Sequence, residues 1–219
     1  MARAQALHPA LGAVVGTVLA MAVCGCGRST PATETGASHG TTTNLATGAR
    51  DFRGRPALGA SSGEDFALRD QSDEVVRLSA QRGRFVLLTF LYTSCPDVCP
   101  LIASNLDAAV RALPPEQRLQ VQVIAVSVDP RRDTRPVVRA YVREHHLLPQ
   151  FRFLIGSRAE LQPIWQAYNV LVDKRNDQVI SHSTFVLLLD RSGKPRLYYS
   201  SQVRAVDVLH DLLQLMSKT

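Results

Sequence analysis

The run Phe85-Val-Leu-Leu-Thr-Phe-Leu-Tyr92 is apolar almost throughout and leads directly into Cys95-Pro-Asp-Val-Cys99-Pro100. A short continuous apolar run of this kind predicts a strand buried on both faces, so the core must be built around it. After Pro96 the spacing becomes helical, and a helix is expected from Val98 to Ala112, ended by Pro114-Pro115. Two thiols at i and i+4 on that helix's first turn would share one face. The free N–H groups and the helix dipole there favour thiolates. Paired thiolates suit a soft metal ion or a disulfide. A staple closing so small a loop stabilises little. A domain of this size can bury a core without one, so reactive or metal-binding chemistry is the expectation.

The 219 residues and 45% apolar content fit one domain with extensions. Residues 1–25 read as a lipoprotein-type signal peptide. Arg3 supplies the positive end, and the apolar stretch from Leu11 to Val23 is short for a membrane span. Its end, Val23-Cys24-Gly25-Cys26-Gly27, resembles the lipobox of bacterial lipoproteins. Cys26 fits the lipidated position because small Gly25 precedes it; Cys24 is the alternative. An uncleaved signal anchor is a second reading, and either one exports the domain. Residues 26–60 are rich in Ser, Thr, Gly and Ala and read as a flexible tether. A lone His39 within it has no pattern around it. Residues 61–219 form the expected folded domain, in which Cys95 and Cys99 are the cysteines. Cleavage before Cys26 removes only Arg3 among charged residues, so the net charge of +6 becomes +5. Aromatic residues do not interleave with a basic patch, which with export argues against nucleic-acid binding.

Within the domain, Phe66-Ala-Leu-Arg69 and Val75-Val-Arg-Leu78 flank a polar turn and predict a β-hairpin. Leu119 to Val128 predicts a second central strand. Thr134 is expected to cap a helix reaching about His145, with Pro136 in its first turn. A strand is expected at 151–155, a helix from Arg158 to Tyr168 capped by Ser157, and an irregular polar stretch from Asp173 to Gln178. Ser183 to Leu189 and Arg196 to Ser200 read as strands joined by the turn Asp190-Arg-Ser-Gly193. A closing amphipathic helix from Ala205 to Leu215 would bury Val206, Leu209, Leu212 and Leu213. This order describes an α/β domain: a central mixed sheet flanked by helices, with an N-terminal β-hairpin. A strand delivering a cysteine to a helix start, with a hairpin and helix at the end, fits the thioredoxin-like fold.

Cys95-Pro-Asp-Val-Cys99-Pro100, Val126-Ser-Val-Asp-Pro-Arg-Arg-Asp-Thr134 and His182-Ser-Thr-Phe185 together resemble the Sco/SenC family over roughly Asp65 to Met216. The resemblance implies a membrane-tethered, thioredoxin-like copper protein that helps assemble the binuclear copper site of cytochrome c oxidase subunit II. It implies Cys95, Cys99 and His182 as ligands of one copper ion. The chemistry agrees: thiolates are soft donors suited to Cu(I), and imidazole also accommodates Cu(II). A structural zinc site would ordinarily be closed by a fourth ligand, and none is evident. Further partners would be another periplasmic copper chaperone or a thiol reductase. The implied location is the bacterial cell envelope, lipid-anchored, with the domain on the periplasmic side.

A thiol–disulfide oxidoreductase is the alternative, with Cys95 attacking and Cys99 resolving. CxxxC in place of CxxC, and Ser183 where a thioredoxin carries its cis-proline, argue against an ordinary thioredoxin. A thiol peroxidase would need groups around one cysteine that Thr89 and Thr93 do not supply. Asp97 and Asp129 are second-tier candidates: Asp97 as a favourable first-turn acid or a partner contact, Asp129 as a turn cap or a support for the metal loop. Asp133 is assigned to helix capping. Arg131, Arg132, Arg135, Arg139 and Arg143 read as a solvated face or, alternatively, a dock for an acidic partner. His145 and His146 end the same helix, where cations suit the dipole. Trp165 and Tyr168 are read as packing residues.

Overall fold

The computed structural model describes residues 52–58, 64–176 and 179–217. Along the chain, β1 (Arg55–Pro56) precedes the short pair β2 (Ala67–Arg69) and β3 (Val75–Arg77). Next come β4 (Phe85–Leu91), α1 (Val98–Arg111), the single turn α2 (Pro115–Arg118) and β5 (Val121–Ser127). These are followed by α3 (Arg135–Glu144), β6 (Phe151–Leu154) and α4 (Arg158–Ala167). The chain continues through β7 (Val172–Asn176), β8 (Val179–His182), β9 (Phe185–Leu189), β10 (Pro195–Ser200) and α5 (Ala205–Ser217). No helix among the described residues is long and apolar enough to cross a membrane.

The main sheet runs β1-β10-β9-β4-β5-β6. β4, β5 and β6 are parallel neighbours, and β9 runs antiparallel to β4 on its other side. Every residue of β4 and β5 is buried. That is the burial a continuous apolar run requires when helices cover both faces. Phe90 lies 5.6 Å from the rings of both Tyr168 and Phe185, which ties β4 to α4 and β9. Trp165 is 3% exposed and its indole N–H donates to the Ser127 carbonyl at 3.0 Å, so α4 grips the C-terminal end of β5. Ser157 caps α4 in a reciprocal box with Glu160, as its sequence position predicts.

Several expectations change. Pro114-Pro115 ends α1, but Pro115 also opens the turn α2, because a fixed φ is suited to a first helical position. Of the stretch read as irregular, Asp173 to Gln178, residues 173–176 belong to strand β7, paired antiparallel with β8 so that Val172 faces His182, and residues 177–178 lie outside the described residues. Tertiary pairing there overrides a polar sequence without period-2 alternation. Thr134 occupies the N-cap of α3 but makes no side-chain cap bond. In α5 the buried stripe is Val208, Asp211, Leu212 and Leu215; Val206 (63%) and Leu213 (40%) are exposed on its flanks.

Asp211 explains that rotation. Its carboxylate accepts from Arg53 N–H at 2.8 Å, Gly54 N–H at 2.7 Å and the Tyr199 hydroxyl at 2.8 Å. A Cβ on Gly54 would meet the Tyr199 ring at 2.8 Å, so the close approach requires glycine. Residues 52–58 fall within the stretch read as tether. Here they are pinned to α5, and Arg55–Pro56 adds an edge strand against Tyr198 and Leu197.

Candidate metal centre

The C-terminal edge of the parallel strands collects the sequence's candidate residues. β4 ends at Leu91, whose carbonyl accepts from Val128 N–H, so the chain after β4 and the chain after β5 leave side by side. Tyr92 follows, and Cys95 N–H turns back to the Tyr92 carbonyl at 3.4 Å. Cys95 therefore sits in the loop before the helix, not on its first turn as the i, i+4 spacing suggested. Asp97 is the N-cap and Cys99 lies in the first turn of α1. The two sulfurs still meet, because the backbone N–H of Cys99 points at the Cys95 sulfur at 3.4 Å. Both are free cysteines, Cys95 half-buried and Cys99 fully buried.

His182 arrives from the far side at the end of β8. Its Nε2 is 4.0 Å from the Cys99 sulfur, and its Nδ1 is 3.0 Å from the Ser183 carbonyl. A carbonyl only accepts, so Nδ1 carries the proton and Nε2 presents its lone pair toward Cys99. Burial holds the His182 pKa below the ordinary value, although the Ser183 carbonyl and Cys95 oppose the shift. The imidazole is thus neutral at neutral pH, the form that ligates metals.

The two sulfurs divide their roles. Cys95 is held down to about 5, chiefly because the Cys99 thiol donates to it. The backbone N–H groups of Asp97 and Cys99 and the Tyr92 hydroxyl add to this against the cost of burial. Cys99 is pushed well above the usual thiol range by that same bond to Cys95 and then by burial. One proton is therefore shared by the pair and resides on Cys99. Donors about 2.0–2.3 Å from one ion lie at most about 4.3 Å apart, so the 4.0 Å gap between Cys99 and His182 fits a single ion. Among the described residues, no three His, Cys, Asp or Glu side chains stand close enough together, as placed, to hold a metal ion.

Residues 54–217 match the SCO1/SenC family. The chain belongs to that family. The SCO2-like protein of Rickettsia typhi is 31% identical over 156 residues, covering 68% of this chain and 75% of its own. Bradyrhizobium japonicum ScoI, whose structure has copper bound, is 28% identical with a TM-score of 0.63 over 70% of this chain and 98% of its own. Apo Sco1 of Thermus thermophilus is 34% identical with a TM-score of 0.65, over 75% and 96% respectively. The mixed sheet with its helices is the thioredoxin-like fold of these SCO1/SenC relatives.

Within this SCO1/SenC domain the other candidate residues separate clearly. Asp97 is exposed and makes no side-chain cap bond; its main-chain N–H is what serves Cys95. Asp129 is buried, takes Arg132 at 3.1 Å, and its carbonyl accepts from Arg132 and Asp133 N–H groups, so it shapes the turn after β5. The arginine run is largely exposed, as a solvated face would be, yet several of its members also make contacts within the chain. Besides Arg132, Arg135 pairs with Asp73 and Arg139 donates to the Gln71 carbonyl. His145 ends α3 with its ring 4.3 Å from Tyr141. Thr89 donates to the Phe185 carbonyl at 2.8 Å and belongs to the core.

Sequence reasoning missed two residues. Asp133 is not a helix cap. Its Oδ1 accepts from Thr93 N–H at 2.9 Å and the Thr93 hydroxyl at 2.6 Å, and its Oδ2 from the Ser127 hydroxyl at 2.5 Å. It clamps the loop entering Cys95 to the end of β5. Its neighbours Thr134 and Pro136 pulled the reading toward a cap. Tyr92 was read as the last residue of a strand, yet its ring lies 5.6 Å from that of His182. A polar-tipped aromatic closing an apolar run beside a cysteine motif was the signal available.

The division between the sulfurs has a direct consequence. In reduced, metal-free protein, iodoacetamide should label Cys95 at a rate that climbs through pH about 5 and is flat by neutral pH. Cys99 should stay unlabelled. Equal labelling of both, or a Cys95 rate still climbing at pH 8, would contradict this assignment.

Proposed function

We propose that this protein is a copper-carrying assembly factor in which Cys95, Cys99 and His182 hold one copper ion. The observation that carries the reading is the convergence of the buried Cys99 sulfur and the lone pair of His182 Nε2 at 4.0 Å, beside the Cys95 thiolate. Two soft sulfurs and one imidazole suit Cu(I) and tolerate Cu(II). Three protein donors leave a position open for a recipient's ligand, so copper can move by stepwise exchange without becoming free. The copper bound to the related Bradyrhizobium japonicum ScoI supports the choice of metal. The recipient is the binuclear copper site of cytochrome c oxidase subunit II, in keeping with the family. Lipid on Cys26, or on Cys24, followed by the Ser- and Thr-rich tether, would hold the domain at the periplasmic face of a bacterial membrane.

The test is X-ray absorption on the reduced protein loaded anaerobically with one equivalent of Cu(I), wild type beside His182→Ala. A shell of sulfur with one nitrogen, the nitrogen lost in the variant, is the expected result. Failure to bind copper, or a shell indifferent to His182→Ala, would overturn the reading.

The Cys95 thiolate favours a second role, as a reductase for an exported partner. Cys95 would attack the partner's disulfide, forming a mixed disulfide and releasing one partner thiol. Cys99 would then lose its proton and displace the second, leaving a Cys95–Cys99 disulfide. Turnover by metal-free protein, lost in Cys95→Ser, would support this; absence of turnover would count against it. The two roles are compatible, since a two-cysteine recipient accepts copper only when reduced.

A further inference from the structure

The three candidate ligands come from three separate pieces of chain: the loop after β4, the first turn of α1 and the end of β8. Tyr92 touches all of them. Its backbone N–H donates to the Cys99 sulfur. Its hydroxyl donates to the Cys95 sulfur. Its ring meets the His182 ring edge-on, with centroids 5.6 Å apart and planes at 78°. The residue is 6% exposed, so water offers its hydroxyl little alternative to the sulfur. The end of β4 also fixes it in place, since its carbonyl receives the N–H of Cys95.

We propose that Tyr92 is a positioning residue whose hydroxyl sets the donor strength of the Cys95 sulfur while its ring holds His182 against the cysteine pair. A hydrogen bond to sulfur draws lone-pair density toward the donor. The sulfur then binds a metal less covalently, and hydrogen bonds around a cysteine sulfur are a recognised control on copper sites. For a carrier this has a purpose. The cargo is held by three donors, and the most exposed sulfur is the one weakened, so it is the first to yield to an incoming ligand. This use of the residue rests on Cys95 being a copper donor; the contact itself does not.

Tyr92→Phe isolates the hydroxyl, because it keeps the ring against His182 and the backbone N–H to Cys99. Two readouts follow. In protein loaded with one equivalent of Cu(II), the thiolate-to-copper charge-transfer band should move to longer wavelength, since the sulfur becomes a better donor. In metal-free protein the second readout is equilibrium against glutathione. There the pair gives two electrons and its one proton to oxidised glutathione, and water supplies the second proton, leaving the Cys95–Cys99 disulfide and two molecules of reduced glutathione. A disulfide sulfur is a weak acceptor, so the hydroxyl favours the reduced pair. Tyr92→Phe should shift the equilibrium toward the disulfide about five-fold, the equivalent of one hydrogen bond of roughly 1 kcal/mol. A band at the wild-type position, or an equilibrium that does not move, overturns the proposal. Should wild-type protein bind no copper, the copper reading falls, and the glutathione equilibrium still decides for or against the Tyr92 hydroxyl. A residue that merely filled space would move neither readout.

Discussion

Cys99→Ser is expected to lower copper affinity by more than about 100-fold while leaving the fold intact. Loss of an outer partner to a metal ligand already costs about 10–100-fold, and Cys99 would be a ligand itself. It is the residue that links the other two. Its sulfur is 4.0 Å from His182 Nε2, and its N–H points at the Cys95 sulfur. A serine oxygen at that place is a hard, short-reaching donor that stays protonated, so Cys95 and His182 would be left to hold copper across a gap. The site is fully buried, and the exchange is nearly isosteric. Unfolding midpoints should therefore move little. Competition with a Cu(I) chelator measures the affinity, and a variant within three-fold of wild type would remove Cys99 from the site.

Asp133→Ala should destabilise the domain by about 3 kcal/mol, reckoned at roughly 1 kcal/mol for each of three hydrogen bonds lost in a buried setting. The bonded groups are Thr93 N–H, the Thr93 hydroxyl and the Ser127 hydroxyl. The first two belong to the loop that delivers Cys95, so the damage should reach the site as well as the global stability. Asp133→Asn keeps the shape and can still accept from Thr93, and should cost less than about 1 kcal/mol near neutral pH. The two variants should also differ in pH dependence. Burial raises the Asp133 pKa in the folded protein. Between the ordinary carboxylate value and that raised one, the folded state binds more protons than the unfolded state. The stability this group contributes is complete below the ordinary value and declines as pH rises through the raised value. Asp133→Asn has no such proton to lose, so its stability should be flatter over that interval. Urea unfolding at several pH values tests both points. An Ala variant as stable as wild type would refute the clamp.

These two residues mark the line between what could be read from the chain and what could not. Cys99 was legible because its chemistry is local: a thiol four residues from another, at the mouth of an apolar strand. Asp133 was not, because its partners Thr93 and Ser127 belong to segments that only the parallel pairing of β4 with β5 brings together. The same contrast runs through the fold. The buried strand Phe85–Leu91 and the Ser157 cap follow from neighbouring residues. β7 does not, since its polar sequence becomes strand only by pairing with β8.

The sequence by itself determined the core strand, the helix that follows it, the thiol pair and the family, since each is written in residues close together along the chain. The tertiary structure decided the rest. It divided the proton between Cys95 and Cys99, oriented His182 through the Ser183 carbonyl, and set Tyr92 against all three candidate ligands. It also turned α5 so that Asp211 faces Arg53 and Gly54. The physical reason is common to all of these. Burial, desolvation and hydrogen-bond direction depend on which groups are brought into contact, and that depends on strand pairing between residues far apart in sequence.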